Sequence, residues 1–479
     1  MSFSRMKKVY DVYRVIFLFF KRKVMGFGLM KNKLFRIVLG ILILAFIGGM
    51  SAVLYMFWKQ TDSTIPQTTI VLDVYALTVI MWTFCCFLFI KILFMKTDRF
   101  LKFTCQFPVT QRETKAAVLM FELMFSLAVI FTIAFSMVIS LLIRYGTHFI
   151  GRILCNIFFV PITFFLALDL LYVIMEFILE KIGVSKMKGV IMFCMNTAFL
   201  LTLYFAGYNK LINSLLFGYL DEKGTSPIVI YAFLMEKFGL PAAILAFLVI
   251  IAILIMLILL VPAAIGEAEN SYLKLRKSSV RAVGEFTSYM LSICRDIDSF
   301  NYTIISIFIF IFMAILKKDM GIYATALLCL NGLYAFVHTD KIRTLLYQKK
   351  YSVLRDYVFL IGSQFVYAAA VTLPLSVVSF ILFRNLKHCL LVYPVLLISI
   401  ILFTLIGILF PPKKDNPFSS CVGIGVVMIL VIAIIVACGL LHIPQFVQIL
   451  VAAAAVCGSI IFSISGIYNL KRSETYEKA

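Results

Sequence analysis

Few residues in this chain are placed to do chemistry. The acidic side chains that fall inside its long apolar runs stand out first: Glu122, then Asp169, Glu176 and Glu180 at i, i+7 and i+11, which a helix puts on one face. A carboxylate at membrane depth is a default place to look for a substrate or proton contact. Its structural counterpart is a carboxylate hydrogen-bonded or ion-paired between helices. Asp169 is the deepest of the second group, and Glu176 and Glu180 fall near a span end. The position 242 residues after Glu122 is Gln364, so Glu122, Asp169 and Gln364 are the candidate substrate-pathway residues.

No catalytic set accompanies them. The chain has no GxxxxGK[ST], so it lacks the usual backbone nest for ATP phosphates, and it has no HExxH or GxSxG. The four histidines, His148, His338, His388 and His442, fall at loops or span ends with no ligand spacing. Eleven cysteines, most inside apolar runs and without a CxxC pair, indicate neither a disulfide framework nor a zinc site. They read as small buried hydrophobes. The expectation is a chain that is not an enzyme and carries no cofactor or metal of its own.

The elements that must position these residues are membrane spans. Of the 479 residues, 63% are hydrophobic and 14% charged, with mean hydropathy +1.05. Soluble domains carry about 25% charged residues. A helix needs about 20 apolar residues to cross the hydrocarbon core. The runs predict twelve spans, near 34–58, 70–94, 116–143, 153–179, 188–207, 239–263, 301–316, 320–337, 357–383, 389–410, 419–440 and 444–468, the seventh and eighth being the shortest. The fold class is thus an all-α polytopic membrane protein. With both termini inside, 34 of the 44 Lys and Arg lie on the cytoplasmic side and ten outside, as the positive-inside rule requires. The net charge of +21 is then an inner-leaflet signature. These basic residues are scattered between spans, which argues against nucleic-acid binding.

Ahead of the first span, Val9, Val12, Tyr13, Ile16, Phe17 and Phe20 follow helical periodicity with Lys8, Asp11 and Arg14 between them. Residues 1–33 are expected to hold an amphipathic helix lying in the cytoplasmic interface, apolar face toward lipid. Residues 264–300, with Glu267, Glu269, Lys274, Arg276, Lys277 and Arg281, read as a polar cytoplasmic linker between a first six-span half, 34–263, and a second, 301–468, before a tail at 469–479. A weak internal repeat supports the division. Lys96-Thr97-Asp98-Arg99 and Gln106 match His338-Thr339-Asp340-Lys341 and Gln348 at an offset of 242. Arg112-Glu113 match Arg355-Asp356 after a slip of one, and Cys155 to Pro161 match Cys389 to Pro394. Parallel halves imply a central pathway and two similar cytoplasmic faces for a dimeric partner.

The second cytoplasmic loop, Lys96–Lys115, is the most informative segment. Pro108 stops any preceding helix, and Thr110 followed by Glu113 forms a capping box for the third span. This corner resembles that of ABC-2 type permeases, in which a Leu-Pro pattern ending in Glu precedes the third span of each six-span unit. Here it stands as Phe107-Pro108-Val109-Thr110-Gln111-Arg112-Glu113. The resemblance is strongest over 1–145. The second-half counterpart, Tyr347–Asp356, lacks the proline.

The resemblance implies the permease subunit of an exporter in a bacterial cytoplasmic membrane, with Pro108, Thr110, Arg112, Glu113, Arg355 and Asp356 coupling it to a separate soluble ATPase dimer that binds ATP-Mg. One fused chain would then serve two ATPase subunits. Peptides or bacteriocins, lipids and hydrophobic drugs are all open as substrates. The alternative is a twelve-span secondary transporter. Such families with parallel halves carry a short Gly- and Asp-rich loop between spans two and three, and this loop has no Gly.

Overall fold

The structure is a computed structural model that describes residues 3–25, 31–60, 65–95, 109–182, 188–220, 229–261, 284–347, 352–409 and 444–476. Among the described residues, eleven helices are long and apolar enough to cross a bilayer, and they coincide with eleven of the predicted spans. The predicted span at 419–440 lies outside the described residues. Helices are dictated here because hydrocarbon offers no partner for a backbone N–H or C=O. The chain divides into two compact units, Met1–Phe20 with Ile37–Ala268, and Lys21–Arg36 with Glu269–Ala479.

Unit one is built from α1 (Phe3–Met25) as far as Phe20, α2 (Lys33–Gln60) from Ile37 on, α3 (Ile65–Met95), α4 (Gln111–Tyr145), α5 (Ile150–Lys181), α6 (Gly189–Tyr219), α7 (Ile230–Phe238) and α8 (Leu240–Leu260). Its interior is rich in phenylalanine. Phe84, Phe87 and Phe165 are fully buried, and Phe87 meets Phe165 edge-on at 5.4 Å. α7 and α8 are separated by Gly239 at φ +86°, which a side chain would strain, and Pro241 then sits in the first turn of α8, where its missing N–H costs nothing.

Among the described residues, two helices carry π-turns, Leu154–Phe159 in α5 and Leu203–Tyr208 in α6. A π-turn absorbs one extra residue within a helix. The first explains a slip in the repeat. Cys155 and Pro161 are six apart, Cys389 and Pro394 five apart, and the longer stretch passes through the π-turn while the shorter lies in regular α-helix. α6 also continues well past the predicted end at 207.

α1 corrects an expectation. Its apolar stripe is not given wholly to lipid, because Val12 and Ile16 are buried against Ala117 and Phe121 of α4. The Phe20 ring stands edge-on to Phe121 and Phe125 at 5.3 and 5.6 Å. Tyr10, Phe17 and Leu18 remain exposed for the membrane interface. The cause is the apolar face that α4 presents beyond its polar first turn, at Ala117 and Phe121.

Unit two contains α9 (Glu285–Arg295), α10 (Ile297–Ile315), a 3₁₀ stretch (Asp319–Leu330), α11 (Asn331–His338), α12 (Asp340–Tyr347), α13 (Val353–Phe383), α14 (Leu386–Leu409) and α15 (Gln445–Tyr476). α9 lies within the stretch read as a polar linker, of which 264–283 are outside the described residues. It is amphipathic, and it buries Tyr289 and Ile293 while Phe286 packs edge-on to Phe359 of α13 at 5.7 Å.

The eighth predicted span, among the shortest by residue count, gains reach from its geometry. A 3₁₀ helix rises about 2.0 Å per residue against about 1.5 Å in α-helix, so Asp319–His338 covers about 36 Å, enough for a core of about 30 Å. α11 then packs backbone to backbone on α14. A Cβ on Gly407 would lie 2.6 Å from the Leu333 carbonyl oxygen and 2.7 Å from that of Gly332. Close approach through small residues is how helices associate without a hydrophobic drive between them.

Candidate functional site

The corner of unit one forms at Thr110. Its Oγ1 accepts from the Glu113 N–H at 3.4 Å, and Glu113 Oε2 accepts from the Thr110 N–H at 2.8 Å, which is the reciprocal capping box expected from the sequence. Pro108 lies outside the described residues. Glu113 is buried, whereas Thr110, Gln111 and Arg112 are exposed. Glu113 therefore builds the corner, and Arg112 is the charge it presents. Behind it, Lys115 Nζ donates to the carbonyls of Ile258 and Val261 at 2.8 and 2.9 Å and so satisfies the C-terminal end of α8.

The corresponding place in unit two is built sideways. Ser352 makes no side-chain cap. Buried Asp356 instead accepts from the Tyr289 hydroxyl of α9 at 2.5 Å, and exposed Arg355 pairs with Glu285 at 2.9 Å. Each unit thus lays an amphipathic helix, α1 or α9, on the first turns of the helix that bears an Arg-acid pair.

The candidate pathway carboxylates are brought together by a residue that the sequence reading passed over. Lys91 Nζ lies 2.6 Å from Glu122 Oε2 and 2.7 Å from Asp169 Oδ1. The ammonium also faces the rings of Tyr172 and Phe87 at 4.8 and 5.4 Å. Both carboxylates are buried, so the arrangement is an ion-paired strut between α3, α4 and α5 and not a pair of acids open to a conduit. Glu176 is half-buried and Glu180 exposed. Gln364, in unit two, donates from Nε2 to the Leu360 carbonyl and to Thr404 Oγ1 of α14 at 3.1 and 3.3 Å.

A second buried cluster holds the other ends of α3 and α5. Arg152 grips Asp73 with two bonds, Nε to Oδ1 at 3.0 Å and Nη2 to Oδ2 at 2.8 Å. Asp73 also accepts from Asn156 Nδ2 at 2.7 Å and from the Tyr219 hydroxyl at 2.5 Å. Half-exposed Glu236 stands 3.9 Å from the guanidinium. Such forked pairs are among the strongest charge-assisted bonds.

Asp73 and Lys91 are 18 residues apart, five helical turns, so they share a face of α3 about 27 Å apart. Their partners on α5 have the opposite signs at the same two levels. α3 and α5 therefore run parallel, and reversing α5 would set like charges against each other. Asp73, Lys91 and Arg152 went unread in the sequence, although two charges 18 apart within one apolar run were the available signal. Among the described residues, no group of three or more His, Cys, Asp or Glu is arranged to hold a metal ion.

The fold and its buried charges define a polytopic α-helical membrane protein. No protein-family model, curated protein or solved structure matches the chain.

Proposed function

We propose that this chain is the permease subunit of an ABC-2 type exporter in a bacterial cytoplasmic membrane, working with a separate soluble ATPase dimer. The observation that carries the reading is the device present in both units, an amphipathic helix seated on the first turns of a span that opens with an Arg-acid pair. A rigid corner of this kind transmits a push. Glu113 and Asp356 lock the span starts to their surroundings, Arg112 offers an exposed cation to an acidic partner surface, and Arg355, paired with Glu285, holds α9 against the start of α13. ATP-Mg, bound in the partner, supplies the free energy, and the permease contributes conformations that ATP binding favours unequally.

Both termini and both corners face the cytoplasm in this reading. The substrate class is an exported peptide, lipid or hydrophobic drug. A twelve-span secondary transporter would use its intramembrane carboxylates as ion sites. Glu122 and Asp169 are already held by Lys91, which favours the ATP-driven alternative.

The test is co-purification of the tagged chain with a soluble ATPase, followed by ATP hydrolysis in nanodiscs. Arg112→Ala combined with Arg355→Ala is expected to abolish permease-dependent stimulation while the chain still folds. Absence of any ATPase partner, or hydrolysis indifferent to that double variant, overturns the proposal.

A further inference from the structure

α1 carries three parallel stripes. Val12 and Ile16 are buried on Ala117 and Phe121, which seats the helix on α4. Beside that seat Met6, Tyr10 and Phe17 are exposed, and the Tyr13 ring lies 6.2 Å from those of both Tyr10 and Phe17. At about 100° per residue these four share one flank. Along the far edge of the flank, Lys7, Arg14 and Lys21 recur every seven residues, two helical turns, and form one exposed row. None of the three is ion-paired among the described residues. Asp11 is the one acid in the sequence of α1, and the row lies between it and the flank.

The seat also sets the depth. The 35 residues of α4 measure about 52 Å, and a hydrocarbon core of about 30 Å leaves about 11 Å of overhang at each end when the helix is centred. Ala117 stands about 9 Å from the start of α4, at the edge of the core. α1 therefore lies where acyl chains meet headgroups.

A helix at that level needs an apolar flank for the acyl boundary and cations beside it for the headgroups, and α1 has them in that order. Tyrosine suits the boundary because its ring is apolar and its hydroxyl stays wet. A position at the boundary would suit any lipid, but the unpaired cation row adds a preference for negative charge. An acidic protein surface would match the row and leave the flank uncovered.

We propose that this face of α1 binds anionic phospholipids, with Lys7, Arg14 and Lys21 at the headgroup phosphates and Met6, Tyr10, Tyr13 and Phe17 among the upper acyl chains. The site rests on the seat of α1 on α4 and does not depend on the exporter reading.

The test is hydrogen exchange of α1 amides in the full-length chain, in nanodiscs of phosphatidylcholine alone or with about 30% phosphatidylglycerol. A cation at an anionic surface shifts the equilibrium about fivefold, so the three together slow exchange by up to about 100-fold. Phosphatidylglycerol is expected to slow α1 in this way while exchange in α3 stays unchanged. The triple variant Lys7→Gln, Arg14→Gln, Lys21→Gln should lose the effect, and Lys8→Gln with Arg22→Gln, on the opposite side of the helix, should keep most of it. In the unaltered protein the effect should collapse at about 1 M salt, where the Debye length is about 3 Å. Equal exchange in the two nanodiscs would overturn the proposal. So would an effect that survives the triple variant or high salt, or one that the Lys8 and Arg22 pair removes as fully as the row does.

Discussion

Replacing Lys91 with Met tests whether the buried charges of unit one are structural. The side chains are similar in length, so the change removes charge with little change in volume. Glu122 and Asp169, 2.6 and 2.7 Å from the ammonium, would be left buried without their shared counterion. Lys115 cannot take over, being held by the carbonyls of Ile258 and Val261. Breaking a buried ion pair by removing one partner costs about 3–5 kcal/mol. An independent bound comes from protonation. Protonating one of the two carboxylates restores the net charge lost with the ammonium, and at pH 7 that costs about 1.4 kcal/mol per pH unit over about three units, or about 4 kcal/mol. The two routes agree, and about 4 kcal/mol corresponds to a loss of roughly 8–16 °C in Tm for a unit of this size.

The assay is thermal unfolding in detergent, comparing Lys91→Met with the neutral triple variant Lys91→Met, Glu122→Gln, Asp169→Asn. The triple variant is expected to recover most of the loss, because exchanging a whole buried ion set for neutral groups is close to thermoneutral. The single variant's deficit should also shrink by about 1.4 kcal/mol for each unit the pH is lowered from 7, since acid supplies the missing neutralisation. A Lys91→Met protein within about 0.5 kcal/mol of the parent, the range of ordinary surface substitutions, would refute the strut. So would a triple variant no better than the single one.

At the other end of the ladder, Arg152→Leu should cost about 3 kcal/mol by melting, the low end for a broken buried pair, because Tyr219 and Asn156 still donate to Asp73. Gly407→Val should cost at least about 1–3 kcal/mol and increase protease sensitivity, since its Cβ would meet the Leu333 carbonyl oxygen at 2.6 Å. Asp356→Ala removes the carboxylate that accepts from the buried Tyr289 hydroxyl and should cost about 1–3 kcal/mol, whereas Glu113→Ala removes half a capping box and should cost about 1 kcal/mol. Denaturant titration of the two variants should preserve that order.

Features governed by solvent or by near neighbours in the chain were legible in the sequence. The spans follow from the exclusion of unpaired backbone from hydrocarbon, which depends on composition over about 20 residues and on little else. The box at Thr110 and Glu113 is equally local, since its partners are three residues apart and the geometry of a helix start brings them together. The Arg-acid positions at 112–113 and 355–356 could be aligned, and the slip between Cys155–Pro161 and Cys389–Pro394 was visible as a count before the π-turn explained it.

Tertiary structure decided who faces whom. Glu122 and Asp169 look alike in sequence whether they touch a substrate or a lysine, and Lys91 is 31 residues from one and 78 from the other. α9 sits in a stretch polar enough to read as linker, and the apolar flank of α13 gives its Tyr289 somewhere to be buried. The 3₁₀ geometry of Asp319–Leu330 is invisible in hydropathy because α and 3₁₀ helices satisfy the backbone from the same composition. The apolar run established that a helix would form and cross. Long-range charge and close backbone packing, which no local window contains, determined its partners, its direction and its pitch.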